Sequence, residues 1–160
     1  EIPGEIHVKG ANVFLGYFKN EEATKEVFTD DGWFRTGDMG VIDSDGSLFI
    51  KGRNKCMILG PSGQNIYPEE IETTINSQPY VVDSLVIEDN GGLTALIYPD
   101  FQQGMKDGMN QEEFVKFMEG TLSELNKELP NYAKLKKIEV MSEDFERTPK
   151  KSIKRYLYQR

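Results

Sequence analysis

The stretch Leu48-Phe49-Ile50-Lys51-Gly52-Arg53-Asn54-Lys55 divides the sequence. Leu48-Phe49-Ile50 reads as one short strand and Met57-Ile58-Leu59 as another. Residues 51–55 between them form a charged linker suited to a hinge. Upstream, Val41-Ile42, Asp43-Ser44-Asp45-Gly46 and Ser47 onward read as a β-hairpin with Asp-Gly as its turn signal. Trp33 and Phe34 are expected in a core, after a turn at Asp30-Asp31-Gly32. Asn20 can cap a short helix to Phe28, with Glu21 and Glu22 where the helix dipole favours negative charge. Glu5-Ile6-His7-Val8-Lys9 alternates as a strand does, and Gly10, Gly16 and Tyr17 mark a turn and a second short strand. Residues 1–53 are therefore a β-rich piece.

Downstream the period changes. Pro68 opens a helix that places Ile71 and Ile75 on one face. Asp89-Asn90-Gly91-Gly92 joins two strands, 81–88 and 93–98. Asn110 and Glu113 form a capping-box pattern, followed by an apolar stripe of Phe114, Phe117, Met118, Leu122, Leu125 and Leu129, which predicts one long helix ended by Pro130. Residues 135–140 read as a last strand. Residues 150–160 read as a short basic helix with Ile153, Tyr156 and Leu157 on one face. Residues 54–160 thus make an α+β unit with a short sheet and about three helices.

Composition narrows the functional classes. The chain has 160 residues, 38% apolar and 29% charged, with 15 Gly and 7 Pro, unlike a collagen or a coiled coil. No apolar run approaches the roughly 18 residues of a membrane-spanning helix. The net charge is -8. Residues 131–160 carry nine Lys or Arg against four Asp or Glu, so the rest is strongly acidic, which argues against broad nucleic-acid binding. One cysteine, Cys56, and one histidine, His7, provide neither an internal disulfide nor a zinc ligand set. The sequence begins with Glu and shows no signal-peptide pattern, so it reads as a piece of something longer.

Three clusters could carry chemistry. Asp38 ends Trp33-Phe34-Arg35-Thr36-Gly37-Asp38, and its carboxylate can accept two hydrogen bonds from a vicinal diol or bond its own backbone in a turn. Lys51, Arg53 and Lys55 alternate on an extended segment, which puts three like charges on one face, suited to an anion or to guarding a sheet edge. Arg147-Thr148-Pro149-Lys150-Lys151-Ser152-Ile153-Lys154-Arg155 offers lysines that could meet a phosphoryl group, or a solvated helix end.

Taken in order, these segments resemble the C-terminal third of the adenylate-forming enzymes: acyl-CoA synthetases, luciferases of the firefly type and the adenylation domains of peptide synthetases. Pro3-Gly4-Glu5-Ile6, Gly10 and Gly16-Tyr17 are similar to one family segment, and Phe34-Arg35-Thr36-Gly37-Asp38 to another. Gly52-Arg53-Asn54-Lys55 through Gly63 to Pro68-Glu69-Glu70-Ile71-Glu72 resembles the family's hinge and glycine loop, and residues 148–157 its terminal lysine motif. The wording of residues 60–72 and 153–158 looks most like long-chain fatty acid–CoA ligases.

The resemblance implies a two-step reaction of a carboxylic acid, expected to be a fatty acid, with ATP, Mg²⁺ and coenzyme A. An acyl-adenylate forms first and the thiol then displaces AMP, with the C-terminal domain rotating between the steps. It implies that Asp38 binds the ribose hydroxyls, Arg53 contacts the same ribose, and Lys55 is both hinge and nucleotide contact. Gly63 would lie on the loop lining the coenzyme A passage. Lys151 would be the adenylation lysine, with Lys154 behind it. No residue is assigned to a metal. The family usually has lysine where Ser152 stands, and its Ser/Thr/Gly-rich phosphate loop is absent from this sequence. The 160 residues alone are accordingly expected to be inactive. The implied setting is cytoplasmic, without nucleic acid, and with room for peripheral membrane association. Two other readings fit the same segments: an adenylation domain that loads a carrier protein, and a non-catalytic nucleotide-binding module.

Overall fold

The computed structural model describes residues 2–160. Their contacts fall into two units, one ending at Met57 and one running from Ile58 to Arg160. The first unit is a three-stranded antiparallel sheet of β1 (Gly4–Val8), β2 (Phe34–Ile42) and β3 (Leu48–Arg53), with β2 central. The Asp-Gly signal holds. Asp43 Oδ1 accepts from the Asp45 and Ser47 amides at 3.1 and 3.0 Å, and Gly46 takes φ +87° to close the β2–β3 turn. Helix α1 (Glu21–Val27) starts where Asn20 accepts from the Ala23 amide.

Two expectations in this unit change. Gly16-Tyr17 forms no strand, because the Tyr17 amide donates to Thr24 Oγ1 at 2.9 Å instead of to a ladder. Trp33 is 40% exposed, with the Lys9 ammonium 5.9 Å from its ring centre. The packed aromatics are Phe14, Phe28 and Phe34, with ring centres 5.1 to 5.6 Å apart.

The second unit is built on β6 (Val81–Asp89), β7 (Gly92–Pro99) and β8 (Leu135–Val140). β6 and β7 are antiparallel, joined through Asn90 (φ +50°) and Gly91 (φ +70°), the two left-handed positions of a type I′ turn. β8 lies parallel to β7. That crossover contains α3 (Phe101–Lys106), α4 (Gln111–Gly120) and α5 (Leu122–Glu128). Before the sheet come the short pair β4 (Ile58–Leu59) and β5 (Asn65–Ile66), then α2 (Pro68–Asn76) with Pro68 in its first turn.

Both sheet faces are covered. Val86, Ala95, Ile97 and Ile138 form one core with Ile71 and Ile75 of α2, Phe114 and Met118 of α4, and Leu125 of α5. Leu85, Ile87 and Leu96, at the alternate positions, pack with Phe145, Ile153 and Tyr158 of the C-terminal segment. This explains why Leu85-Val86-Ile87 and Ala95-Leu96-Ile97 are continuous apolar runs and not alternating ones. Each such side chain, fully buried, contributes roughly 1.5–3 kcal/mol.

The capping box at Asn110 and Glu113 forms with both bonds at 3.0 Å, but the helix it opens is interrupted. At Thr121 the hydroxyl donates to the Met118 carbonyl at 2.6 Å and ψ is -13°, so α4 ends and α5 begins, while the stripe still reaches one core. The C-terminal basic helix is not formed. Residues 147–153 make a tight hairpin, and only Arg155–Leu157 is helical, as one 3-10 turn. Ile153 and Tyr158 face the sheet, whereas Tyr156 and Leu157 are 67% and 48% exposed.

Candidate functional site

In the first unit, Asp38 and Arg53 are register partners across β2 and β3. Their side chains meet, with Arg53 Nε 2.9 Å from Asp38 Oδ1. Both remain accessible, at 33% and 61%, so the pair by itself contributes at most about 1 kcal/mol to stability. Its geometry is better defined than its energy. Thr36 Oγ1 donates to the Ile6 carbonyl at 2.8 Å and accepts from the Asp38 amide at 3.0 Å, tying the backbone of Asp38 to β1. Gly37 takes φ +75°, and a bulge follows between Met39 and Gly40. The strand is thereby turned so that a carboxylate and a guanidinium stand side by side on the surface. Thr36 is a positioning residue that sequence reading missed; its signal was a hydroxyl two residues before the carboxylate.

Lys55 departs from expectation. Lys51 is the extra β3 residue at the register shift opposite Met39 and Gly40, β3 ends at Arg53, and Asn54–Cys56 is a 3-10 turn, so the regular alternation expected over Lys51, Arg53 and Lys55 is not formed. Lys55 is exposed on that turn.

In the second unit, Gly63 lies in the β4–β5 hairpin. The Gly63 amide donates to the Gly60 carbonyl at 2.9 Å and the Gly60 amide to the Gln64 carbonyl at 2.8 Å. Gly63 takes φ +81°, and nothing lies within 4 Å of where a Cβ would stand. Glycine is therefore required here by the backbone conformation, with open space beside it. Next to this hairpin is a cleft of about 560 Å³, whose lining includes Ile58, Ile66, Leu93, Tyr132 and Lys134.

The lysine motif forms the turn Thr148-Pro149-Lys150-Lys151. The Lys151 amide donates to the Thr148 carbonyl at 2.8 Å, the Thr148 amide to the Ser152 carbonyl at 2.8 Å, and Lys151 takes φ +64°. Pro149 occupies the second position of the turn, which it pre-organises. That signal identified a turn, and the basic run concealed it. Lys154 pairs with Glu146 at 3.0 Å, while Lys150 and Lys151 stand exposed on the turn.

The cations flanking the turn are structural. Arg147 bonds Asp83 and Asp144, Arg160 bonds Asp89 and Glu139, and Arg155 bonds Glu72. Glu72 is buried, and its Oε1 accepts from the Val86 amide at 2.7 Å. Burial pushes its carboxyl above the ordinary value, against the pull of Arg155. Arg160, then Lys137, hold the Glu139 carboxyl down to about 2. Three of the nine cations of residues 131–160, all arginines, thus fasten the segment to α2 and the sheet. Among the described residues no three His, Cys, Asp or Glu side chains converge to hold a metal ion.

Residues 56–160 match the model of the AMP-binding enzyme C-terminal domain. The chain belongs to this family. The long-chain-fatty-acid–CoA ligase FadD15 of Mycobacterium tuberculosis is 31% identical over 95% of this chain and 28% of its own length. The 2-succinylbenzoate–CoA ligase of Bacillus cytotoxicus is 38% identical over 76% of this chain and 25% of its own. Among solved structures, the O-succinylbenzoate coenzyme A synthetase MenE of Bacillus subtilis, in complex with AMP, is 30% identical with a TM-score of 0.74, covering 97% of this chain and 30% of that one. The chain therefore spans less than a third of the length of these relatives. Its α+β architecture is that of the AMP-binding enzyme C-terminal domain, preceded by a short antiparallel sheet.

Proposed function

We propose that this chain supplies the C-terminal part of an ATP-dependent, AMP-forming acyl-CoA ligase that acts on fatty acids. The observation that carries the proposal is the surface pairing of Asp38 and Arg53 at adjoining strand positions. A carboxylate with free lone pairs can accept hydrogen bonds from both hydroxyls of a ribose, and the neighbouring guanidinium keeps it aimed. The fatty acyl preference rests on the likeness to FadD15 over nearly the whole chain.

In the first step an oxygen of the substrate carboxylate attacks the α-phosphorus of ATP. The bond to pyrophosphate breaks and an acyl-adenylate forms. Lys151, at the tip of its turn, offsets the negative charge that builds on the phosphoryl oxygens. Asp38 and Arg53 hold the ribose. In the second step the thiol of coenzyme A, as its thiolate, attacks the acyl carbon and AMP leaves. Gly63 keeps the β4–β5 hairpin free of a side chain beside the thiol's path. No residue of this chain is assigned to Mg²⁺.

The test is carboxylate-dependent exchange of labelled pyrophosphate into ATP by the longer polypeptide. Long-chain fatty acids, aromatic acids and 2-succinylbenzoate make the panel. Exchange with the fatty acids is expected, falling about 100-fold in Asp38→Ala as two charge-assisted bonds to ribose are lost. Exchange confined to the other acids overturns the fatty acyl assignment, and exchange with none overturns the ligase reading. The 160-residue chain alone is expected to form no thioester; detectable product would overturn that.

A further inference from the structure

The C-terminal segment is fastened to the sheet on both sides of the lysine turn. Before the turn, Phe145 packs beneath the sheet. After it, Ile153 and Tyr158 pack on the same face, and Arg155 and Arg160 pair with carboxylates of α2, β6 and β8. One group bridges the fastened frame and the turn itself. Arg147 Nη2 donates to Asp83 Oδ2 of β6 at 2.7 Å and to Asp144 Oδ1 at 3.0 Å. Its Nη1 donates to the carbonyl oxygen of Lys151 at 3.2 Å. A guanidinium is planar, with its donors in a fixed fork, so bonding two acids with one nitrogen fixes where the other nitrogen points. The carbonyl it points to belongs to a residue in the left-handed region, at φ +64°, a conformation a lysine adopts only under constraint.

We propose that Arg147 is a positioning residue for the adenylation step: it bonds the Lys151 carbonyl and thereby fixes the direction in which the Lys151 ammonium projects. The proposal rests on Lys151 being the lysine that meets the phosphoryl group. Asp83 is the ground on which Arg147 stands, since it belongs to the sheet and not to the C-terminal segment. A lysine at position 147 could keep the ion pair with Asp83. It lacks the second, separated donor nitrogen with which the guanidinium bonds the Lys151 carbonyl while its other nitrogen holds the acids. Charge and positioning are therefore separable by substitution.

The test measures the two half-reactions of the longer polypeptide separately: pyrophosphate exchange for adenylation, and thioester formation from synthetic acyl-adenylate and coenzyme A. Arg147→Met and Arg147→Lys are compared with Lys151→Ala. Displacing a reacting group by about 1 Å can cost on the order of 100-fold. Arg147→Met is expected to lower kcat of exchange by roughly that factor, with KM for ATP changed less than about threefold and thioester formation within about twofold. Arg147→Lys should fall in the same direction, because the charge alone does not restore the fork. Amide hydrogen exchange on the 160-residue chain gives a readout apart from activity. In Arg147→Met the Lys151 amide should exchange at least about tenfold faster while the buried Val86 amide keeps its protection. A purely stabilising role would speed both amides and lower both half-reactions together, overturning the proposal. So would exchange within about twofold of the parent in Arg147→Met while Lys151→Ala is inactive. Full activity in Lys151→Ala would instead overturn the assignment of Lys151, and with it the proposal. Absence of exchange in the unsubstituted enzyme with every acid would overturn the ligase reading.

Discussion

Replacing Arg155 by Met breaks an ion pair that is buried at its acidic end. The apolar stem of the side chain is kept and the guanidinium is lost. Glu72 then keeps its hydrogen bond from the Val86 amide and still feels the charge of Glu69, which lies 3.9 Å from Arg155. Removing one partner of a buried pair costs about 3–5 kcal/mol, and Arg155 is a quarter exposed, so the low end applies, about 3 kcal/mol. At about 5 °C per kcal/mol for a unit of roughly 100 residues, the expected loss in Tm is about 15 °C. The pH dependence gives a sharper test. The Glu72 carboxyl already lies above its ordinary value because it is buried, and Arg155 opposes that. Without Arg155 the rise grows. A carboxyl that binds its proton more tightly in the folded state stabilises fully at low pH, and that contribution is lost as pH rises through the folded value. The stability difference between variant and parent should therefore be larger at pH 8 than at pH 5. Thermal unfolding followed by far-ultraviolet circular dichroism, which reports on α2, α4 and α5, measures it at both values. The double variant Glu72→Gln/Arg155→Met should remove the pH dependence of the difference. A loss under about 1 kcal/mol, or a difference that shrinks as pH rises, would refute this reasoning.

Further expectations concern separate contacts. In Gly104→Ala the new Cβ would lie 2.5 Å from the ring of Phe114, itself fully buried, so unfolding should become easier by about 1–3 kcal/mol in a urea titration. Asn110→Ala removes the side-chain half of the capping box on α4 and should cost about 1 kcal/mol in the same titration. Lys151→Gly relieves a left-handed φ and should raise stability by about 0.5–1 kcal/mol while abolishing pyrophosphate exchange in the longer polypeptide, separating the turn's folding from its chemistry. Glu139, held down to about 2 by Arg160 and Lys137, contributes stability that is present above the ordinary carboxyl range and lost as pH falls toward 2; Glu139→Gln should flatten the acid limb of the stability profile.

The parts of the fold legible in the sequence were those governed by neighbours in the chain. The Asp45-Gly46 and Asn90-Gly91 turns, the Asn20 and Asn110 caps and the Pro68 helix start each depend on a few consecutive residues, and each formed where it was read. The failures share a different cause. Thr121 interrupts the long helix through a hydroxyl bond and a small change in ψ that leave the apolar stripe intact, so periodicity could not report them. The C-terminal basic run carried helical spacing at Ile153 and Leu157, but its structure is set by a sheet face more than fifty residues away in sequence, which offers Leu85, Ile87 and Asp83 as docking points. Of the site, Asp38 and Arg53 were legible from the motifs that carry them, while their facing positions on β2 and β3 came from the structure. The fork from Arg147 to Lys151 was not, because it depends on Asp83, 64 residues earlier. Local chemistry was visible; long-range ion pairs were not.

The most direct test of the central claim compares ATP with its 2′-deoxy and 3′-deoxy analogues in pyrophosphate exchange by the longer polypeptide, in the parent and in Asp38→Asn. If Asp38 accepts the ribose hydroxyls, the parent should favour ATP over each analogue by roughly tenfold or more, since each missing hydroxyl removes a charge-assisted bond of about 1.5–3 kcal/mol. The asparagine variant should be slower with ATP and nearly indifferent among the three. The same preference for ATP in parent and variant would contradict the assignment of Asp38 to the ribose and remove the observation on which the proposed function rests.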